Sequence, residues 1–281
     1  MKKAAVLAAI LLIAGLALVC GALASVGFEF RKLGTAELET NTYEIDEAFS
    51  SIQIKVNTAD VTLAVSGDGT CRVVCRESKK APHTVTAENG TLRISSSRER
   101  TDVFDLCFEK QTVTVYLPKN MYETISIETS TGDVTIEALS AGTIACTVST
   151  GHVRMRNVAC TGDVTIGIST GKTDLEGLTC RDLQSRGSTG DVVLQDVLAN
   201  GRISIERSTG DVTFRNSDAA EIRIRTSTGD VTGTLRTEKV FAAKSTTGDI
   251  RVPDSVSGGK CEITTGTGDI EMMIADGNGR R

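Results

Sequence analysis

The sequence predicts an all-β chain. It reads as a parallel β-solenoid (β-helix) of 19–20-residue coils, with an irregular all-β N-terminal cap and one transmembrane helix before the cap. Three observations carry this reading: a glycine that recurs at a fixed spacing, apolar columns at fixed offsets from it, and a long uncharged run at the N-terminus.

The glycines are Gly132, Gly151, Gly171, Gly190, Gly210, Gly229, Gly248 and Gly268, spaced by 19, 20, 19, 20, 19, 19 and 20 residues. Thr precedes each one, and "STGDV" recurs almost unchanged. Seven residues before each glycine stand Ile125, Ile144, Val164, Leu183, Ile203, Ile222, Phe241 and Cys261. Two residues after it stand Val134, Val153, Thr173, Val192, Val212, Val231, Ile250 and Ile270. Between these columns the apolar positions alternate, as half-buried strands require. Each repeat thus holds two short strands and a sharp corner. One repeat cannot bury its own apolar face; stacked copies can, with equivalent strands parallel and about 4.8 Å apart. A propeller blade needs about twice this period, and a leucine-rich repeat has a different pattern.

The uncharged run is Ala4–Phe28, long enough to span a bilayer, and Lys2 and Lys3 precede it. It reads as a single-pass anchor in the cell membrane that leaves the C-terminal domain outside the cytoplasm. The alternative is a secreted chain cleaved near Ala24, in "ALAS"; a lipoprotein reading through Cys20 places Val19 where a small residue is needed. The domain reading is 1–28 anchor or signal segment, 29–42 linker, 43–118 irregular β cap with degenerate first coils, 119–274 solenoid repeats and 275–281 polar tail. Within the cap, "KVNTADVTLAV" is a degenerate repeat with Ala59 in the glycine position, and Asn89-Gly90 reads as a hairpin turn.

Composition narrows the function classes. Net charge is −5 with no long basic run, which speaks against nucleic acid. Trp is absent and aromatics make up 4%, so the core is aliphatic. The two histidines, His83 and His152, cannot build a multi-histidine site and read as ordinary surface residues. No catalytic residue and no cofactor is expected, because no nucleophile–base pair recurs at the corner.

The corner reads as structural: glycine for the turn, Asp bonding nearby backbone donors, Thr stacking its hydroxyls. The rival reading is a calcium column of Asp191, Asp211, Asp230, Asp249 and Asp269, which offers one carboxylate per coil where calcium takes six to eight oxygens, and which His152 and Lys172 interrupt. Cys146 and Cys261 fall on core columns. Cys160 and Cys180 each lie nine residues after their glycine and stack on adjacent coils; a disulfide is one reading and a column of free thiols the other. Cys71 and Cys75 share a strand face but are about 13 Å apart if extended, too far for a bridge. No Cys-x2-Cys pair exists, which speaks against zinc.

The stretches "NTYEIDEAFSSIQIKVNTADVTL", "ENGTLRIS", "VTVYLP", the "STGDV" corners and "VTGTLRTEKVFAAKSTTGDIRVP" resemble a bacterial β-strand-repeat family of unknown function, called putative adhesins and common among Gram-positive membrane proteins. The resemblance covers residues 41–274. It implies a membrane-anchored, surface-facing β-helix with no agreed catalytic residues. The functional expectation is a non-catalytic surface interaction module whose partner is an envelope protein or cell-wall polymer. The alternatives are an accessory of cell-envelope stress signalling and a polysaccharide-active β-helix enzyme, which needs clustered acids in one groove.

Overall fold

A computed structural model describes residues 37–96 and 110–275, together with the helical positions Gly15, Cys20, Gly21 and Ala24. The expected anchor over 1–28 lies outside the described residues apart from those four positions. Among the described residues, no helix is long and apolar enough to cross a membrane.

Seven strands precede the clean repeats: β1 (Leu38–Ile45), β2 (Ser51–Thr58), β3 (Asp60–Val65), β4 (Cys71–Ser78), β5 (Thr84–Glu88), β6 (Thr91–Ser95) and β7 (Thr112–Leu117). The repeats supply β8 (Met121–Thr131), β9 (Val134–Glu137), β10 (Ser140–Thr150), β11 (Val153–Arg156), β12 (Ala159–Cys160), β13 (Val164–Thr170), β14 (Thr173–Glu176), β15 (Thr179–Cys180), β16 (Leu183–Thr189), β17 (Val192–Gln195), β18 (Leu198–Thr209) and β19 (Val212–Thr228). They end with β20 (Val231–Leu235), β21 (Lys239–Thr247), β22 (Ile250–Arg251), β23 (Gly259–Thr267) and β24 (Ile270–Ile274).

The strands form two sheets, and β19 runs from one into the other. The first sheet has the order β5-β6-β2-β8-β10-β13-β16-β18-β19-β23-β21. The second has the order β1-β4-β7-β3-β9-β11-β14-β17-β19-β20-β24-β22. Repeat pairs with repeat in parallel and in register, so Ile125, Ile144, Val164, Leu183, Ile203 and Ile222 align and are all buried. The short strands β12 and β15 form a third strip that aligns Ala141, Cys160, Cys180, Ala199 and Ala219, also buried.

Repeats do not follow chain order at the ends. β2 and β3 insert between the β6/β7 rung and the β8/β9 rung, so the Ala59 repeat is part of the ladder, with Thr58 aligned on Thr131. At the other end, β23 and β24 insert ahead of β21 and β22, which become the outer rung. The apolar column therefore runs Ile222, Cys261, Phe241. In this order Cys261, Ile263, Ile270 and Met272 sit fully inside, and Ile250 on the outer rung is 43% exposed.

Two further differences from the sequence reading stand out. The first strand begins at Leu38, within the stretch read as a linker, because its alternating residues pair antiparallel with β4 from Leu38↔Ser78 to Ile45↔Cys71. A second corner also recurs, at Ala138, Asn157, Gly177, Asp196 and Asn216, with φ between 50° and 62°. This is the left-handed region that Asn, Asp and Gly tolerate. The hairpin at Asn89-Gly90 is present, with both residues at positive φ between antiparallel β5 and β6.

Candidate functional site

The Ser-Thr-Gly-Asp corners stack in register from Thr58 through Thr131, Thr150, Thr170, Thr189, Thr209, Thr228 and Thr267 to Thr247. Two constraints fix glycine there. The corner glycines have φ between 125° and 147°, and a Cβ at Gly151 would lie 2.0 Å from the carbonyl oxygen of Gly132. The threonines link repeats through their carbonyls: Gly132 N–H donates to Thr150 O at 2.9 Å and Gly151 N–H to Thr170 O at 3.0 Å. The expected hydroxyl ladder is not formed: among the described residues the corner threonines are exposed, no hydrogen bond joins their hydroxyls, and the backbone makes the link.

The corner aspartates form a ladder of their own. Asp211 N–H donates to Asp191 Oδ1 (3.1 Å), Asp230 N–H to Asp211 Oδ1 (2.9 Å), Asp269 N–H to Asp230 Oδ1 (2.8 Å) and Asp249 N–H to Asp269 Oδ1 (2.8 Å). The carboxylates of Asp191, Asp211, Asp230 and Asp269 thus each satisfy a backbone donor one rung away, which explains these four residues without a cation, while Asp249 on the outer rung faces Arg251 at 3.7 Å. His152 continues the pattern: its N–H donates to Asp133 Oδ1 (2.9 Å), and its Nδ1 accepts Lys172 N–H (3.0 Å). His152 therefore keeps the backbone ladder going although it interrupts the row of carboxylates; Lys172, which has no acceptor, ends the ladder.

On the outward side of the first sheet, a groove of about 550 Å³ crosses β13, β16, β18 and β19. Arginines and acids one repeat apart meet along it. Arg181 binds Asp163 through two nitrogens (2.9 and 2.5 Å), Arg186 faces Glu206 (3.2 Å) and Arg202 grips Glu221 (2.9 and 2.7 Å). Asp182 Oδ1 accepts the backbone N–H of Arg202 (2.6 Å). Arg223 faces Glu262 at 3.6 Å, while its buried Nε has no hydrogen-bond partner.

A second polar cluster is buried beside the capped end. The inward face of β4 carries Cys71, Val73, Cys75 and then Glu77. After a turn through Lys79–Pro82, the chain returns His83 to that face. Glu77 is 0% exposed and His83 5%. Glu77 Oε2 accepts both the backbone N–H of His83 (2.5 Å) and its ring Nδ1–H (2.5 Å). Oε1 accepts Asn41 Nδ2 (2.8 Å) and Tyr43 OH (3.4 Å) from β1. Burial, with Glu77 second, pushes the Cys75 thiol up to about 12. Among the described residues, Cys75, Glu77 and His83 are the one group of three potential metal ligands whose donor atoms lie within 4.8 Å of one another. His83 is thus not the surface residue its isolation in the sequence suggests; the Glu77 carboxylate offsets the cost of burying it.

Arg207 is 4% exposed inside the repeat stack. Its guanidinium donates to Ser185 Oγ (2.8 Å), Thr173 Oγ1 (3.1 Å) and Glu206 O (2.9 Å), and its Nε has no hydrogen-bond partner. Burial without a carboxylate lowers its pKa to about 10. Cys160 and Cys180 stack beside one another, as the aligned pair Ala159↔Thr179 requires, and both are free thiols. Cys71, Cys75, Cys146 and Cys261 are buried free thiols as well.

Comparison with known proteins places this geometry. The crystal structure of a putative adhesin from Bacteroides fragilis NCTC 9343 is similar at 19% identity, with 84% of this chain and 97% of that chain covered and a TM-score of 0.55. A putative lipid binding protein from Parabacteroides distasonis ATCC 8503 is 13% identical over 85% of this chain and 98% of that one, with a TM-score of 0.36. No curated protein matches the chain. The family model described as Toastrack DUF4097 matches residues 49–280. The chain belongs to the Toastrack DUF4097 family.

Proposed function

We propose that this chain is a membrane-anchored, extracytoplasmic β-solenoid that acts as a non-catalytic surface interaction module. The observation that carries the reading is the groove on the first sheet, where Arg186, Arg202 and Arg223 alternate with acids over consecutive rungs. A body of stacked, in-register rungs holds such an outward array rigidly, and rigid repeat faces suit extended partners. The partner is an envelope protein or a cell-wall polymer. The apolar run Ala4–Phe28 supports anchoring and export. The name of the Bacteroides fragilis structure, a putative adhesin, agrees with an interaction role.

One observation favours a polysaccharide-active enzyme: Asp163, Asp182, Glu206 and Glu221 share the groove. Asp163, Glu206 and Glu221 are each matched to an arginine, and Asp182 to a backbone donor and Arg181 at 3.5 Å. Glycoside hydrolysis needs one carboxyl held as an acid opposite a second carboxylate. Four acids already committed to cations and a backbone donor do not supply that pair, so the non-catalytic reading is preferred.

The test uses intact cells carrying the full chain. Externally added protease is expected to cut the domain without lysis. Charge reversal at Arg186, Arg202 and Arg223 is expected to reduce retention on isolated cell walls or crosslinking to envelope proteins by tenfold or more. Protection of the domain until lysis would overturn the location. Unchanged retention and crosslinking in the reversed variant would overturn the groove. Recovery of a membrane sensor as the main crosslinked species under antibiotic challenge would move the reading to envelope stress signalling.

A further inference from the structure

The Cys75–Glu77–His83 cluster has a chemistry that a surface interaction module does not use. Its three side chains occupy inward positions on and beside β4, where Val73 packs into the core. An aliphatic residue at 77 would fill the same space without a buried charge. Instead a thiol, a carboxylate and an imidazole converge within 4.8 Å.

One sulfur, one nitrogen and one oxygen make a donor set with a definite preference. Calcium and magnesium want oxygen ligands throughout. A thiolate with an imidazole selects a softer ion that accepts tetrahedral geometry, and zinc is the common one. The next shell of partners is already built. Asn41 Nδ2 and Tyr43 OH hold Oε1 of Glu77, fixing the carboxylate plane and leaving Oε2 to face His83. Donors bonded to a ligating carboxylate in this way orient it in metal sites.

We propose that Cys75 Sγ, Glu77 Oε2 and His83 Nδ1 form a Zn²⁺ site. The ion takes the place of the proton that joins His83 Nδ1 to Glu77 Oε2. Zinc bonds of about 2.0 Å at tetrahedral angles put two light ligand atoms about 3.3 Å apart. The present separation of 2.5 Å therefore opens by under about 1 Å. For a neutral imidazole, its proton moves from Nδ1 to Nε2 and the thiol proton leaves, so one proton is released per ion bound. Water completes the fourth position. The bound ion would tie the returning turn at His83 to β4, whose Glu77 already holds Asn41 and Tyr43 of β1.

The test is a titration of the full-length chain, stripped with chelator, with Co²⁺ as a spectroscopic substitute for Zn²⁺. The expected result is one Co²⁺ per chain, a near-ultraviolet thiolate-to-cobalt charge-transfer band, the visible bands of tetrahedral cobalt, and loss of all of them on adding Zn²⁺. Cys75→Ser should abolish the charge-transfer band. His83→Gln should weaken binding by about tenfold or more. A Cys20→Ser/Cys107→Ser variant should keep the band, which rules those two sulfurs out; loss of the band in that variant would overturn the site even where Cys75→Ser does not fold. Absence of a thiolate band in the wild-type chain, or its survival in folded Cys75→Ser, would overturn the site.

Discussion

Arg207 aligns with Gly187 in the neighbouring strands β18 and β16. A Cβ at Gly187 would lie 2.3 Å from the Ile168 carbonyl oxygen on one side and 3.1 Å from Arg207 Nη1 on the other. The same column holds Val148 and Ile168 in the preceding rungs. Two polar departures from the apolar pattern, Thr173 and Ser185, are therefore one feature: their hydroxyls accept from a single buried cation. Such a cation without a carboxylate is costly, and replacing buried charged groups with packed apolar ones is often neutral or stabilising by about 1–4 kcal/mol. The variant Arg207→Met/Thr173→Val/Ser185→Val is expected to match or exceed the parent in urea denaturation by that amount. Thr173→Val/Ser185→Val with Arg207 retained should be less stable than the parent. A triple variant well below the parent would show that the arginine stabilises the stack.

The corner glycines give a graded test of close approach. At Gly151, φ is 147° and a Cβ would meet the Gly132 carbonyl oxygen at 2.0 Å. Gly151→Ala is expected to cost about 3 kcal/mol or more, since strain and overlap add. Gly67 has nothing within 4 Å of its would-be Cβ, so Gly67→Ala should fall within about 0.5 kcal/mol of the parent. Thermal melting of the two variants side by side checks this, and equal losses would refute the account.

The aspartate ladder separates a structural corner from a calcium corner. Asp211 Oδ1 accepts Asp230 N–H, and Asp211 N–H donates to Asp191 Oδ1. Asp211→Ala removes one acceptor and is expected to cost about 1 kcal/mol. Asp211→Asn keeps an oxygen in place and should cost less. Millimolar Ca²⁺ or chelator should leave the melting temperature unchanged in parent and variants. A calcium-dependent rise of several degrees, lost in Asp211→Asn, would restore the cation reading.

The fold was legible where one residue type repeats and hidden where several share a role. Gly132 to Gly268 mark the first corner because only glycine fits both its φ and its contact. The second corner was missed because Ala138, Asn157, Gly177, Asp196 and Asn216 meet the same φ with four residue types. The exchange of the last two rungs left no trace, because Phe241 and Cys261 occupy equivalent positions and swapping them preserves every inward side chain. The groove was in principle readable: Arg186 and Glu206, like Arg202 and Glu221, are opposite charges one repeat apart. The Cys75–His83 cluster was not, since its ligands meet across a turn and no Cys-x2-Cys spacing announces them.

Buried thiols make alkaline stability a further readout. Burial raises the Cys146, Cys180 and Cys261 thiols from 9.0 to about 12 each. The folded chain then keeps protons that the unfolded chain releases above about pH 9, so the native state binds more protons in this window. Stability therefore falls as pH rises, and it is fully present only below about pH 9. Each such thiol contributes a slope of about 1.4 kcal/mol per pH unit up to about pH 12. Cys146→Ala forfeits packing at every pH but removes one thiol's share of the slope. Urea denaturation between pH 8.5 and 11 should give the variant a shallower decline than the parent by about that amount. Parallel declines would mean that the Cys146 thiol ionises alike in folded and unfolded chains, and that this part of the core admits water.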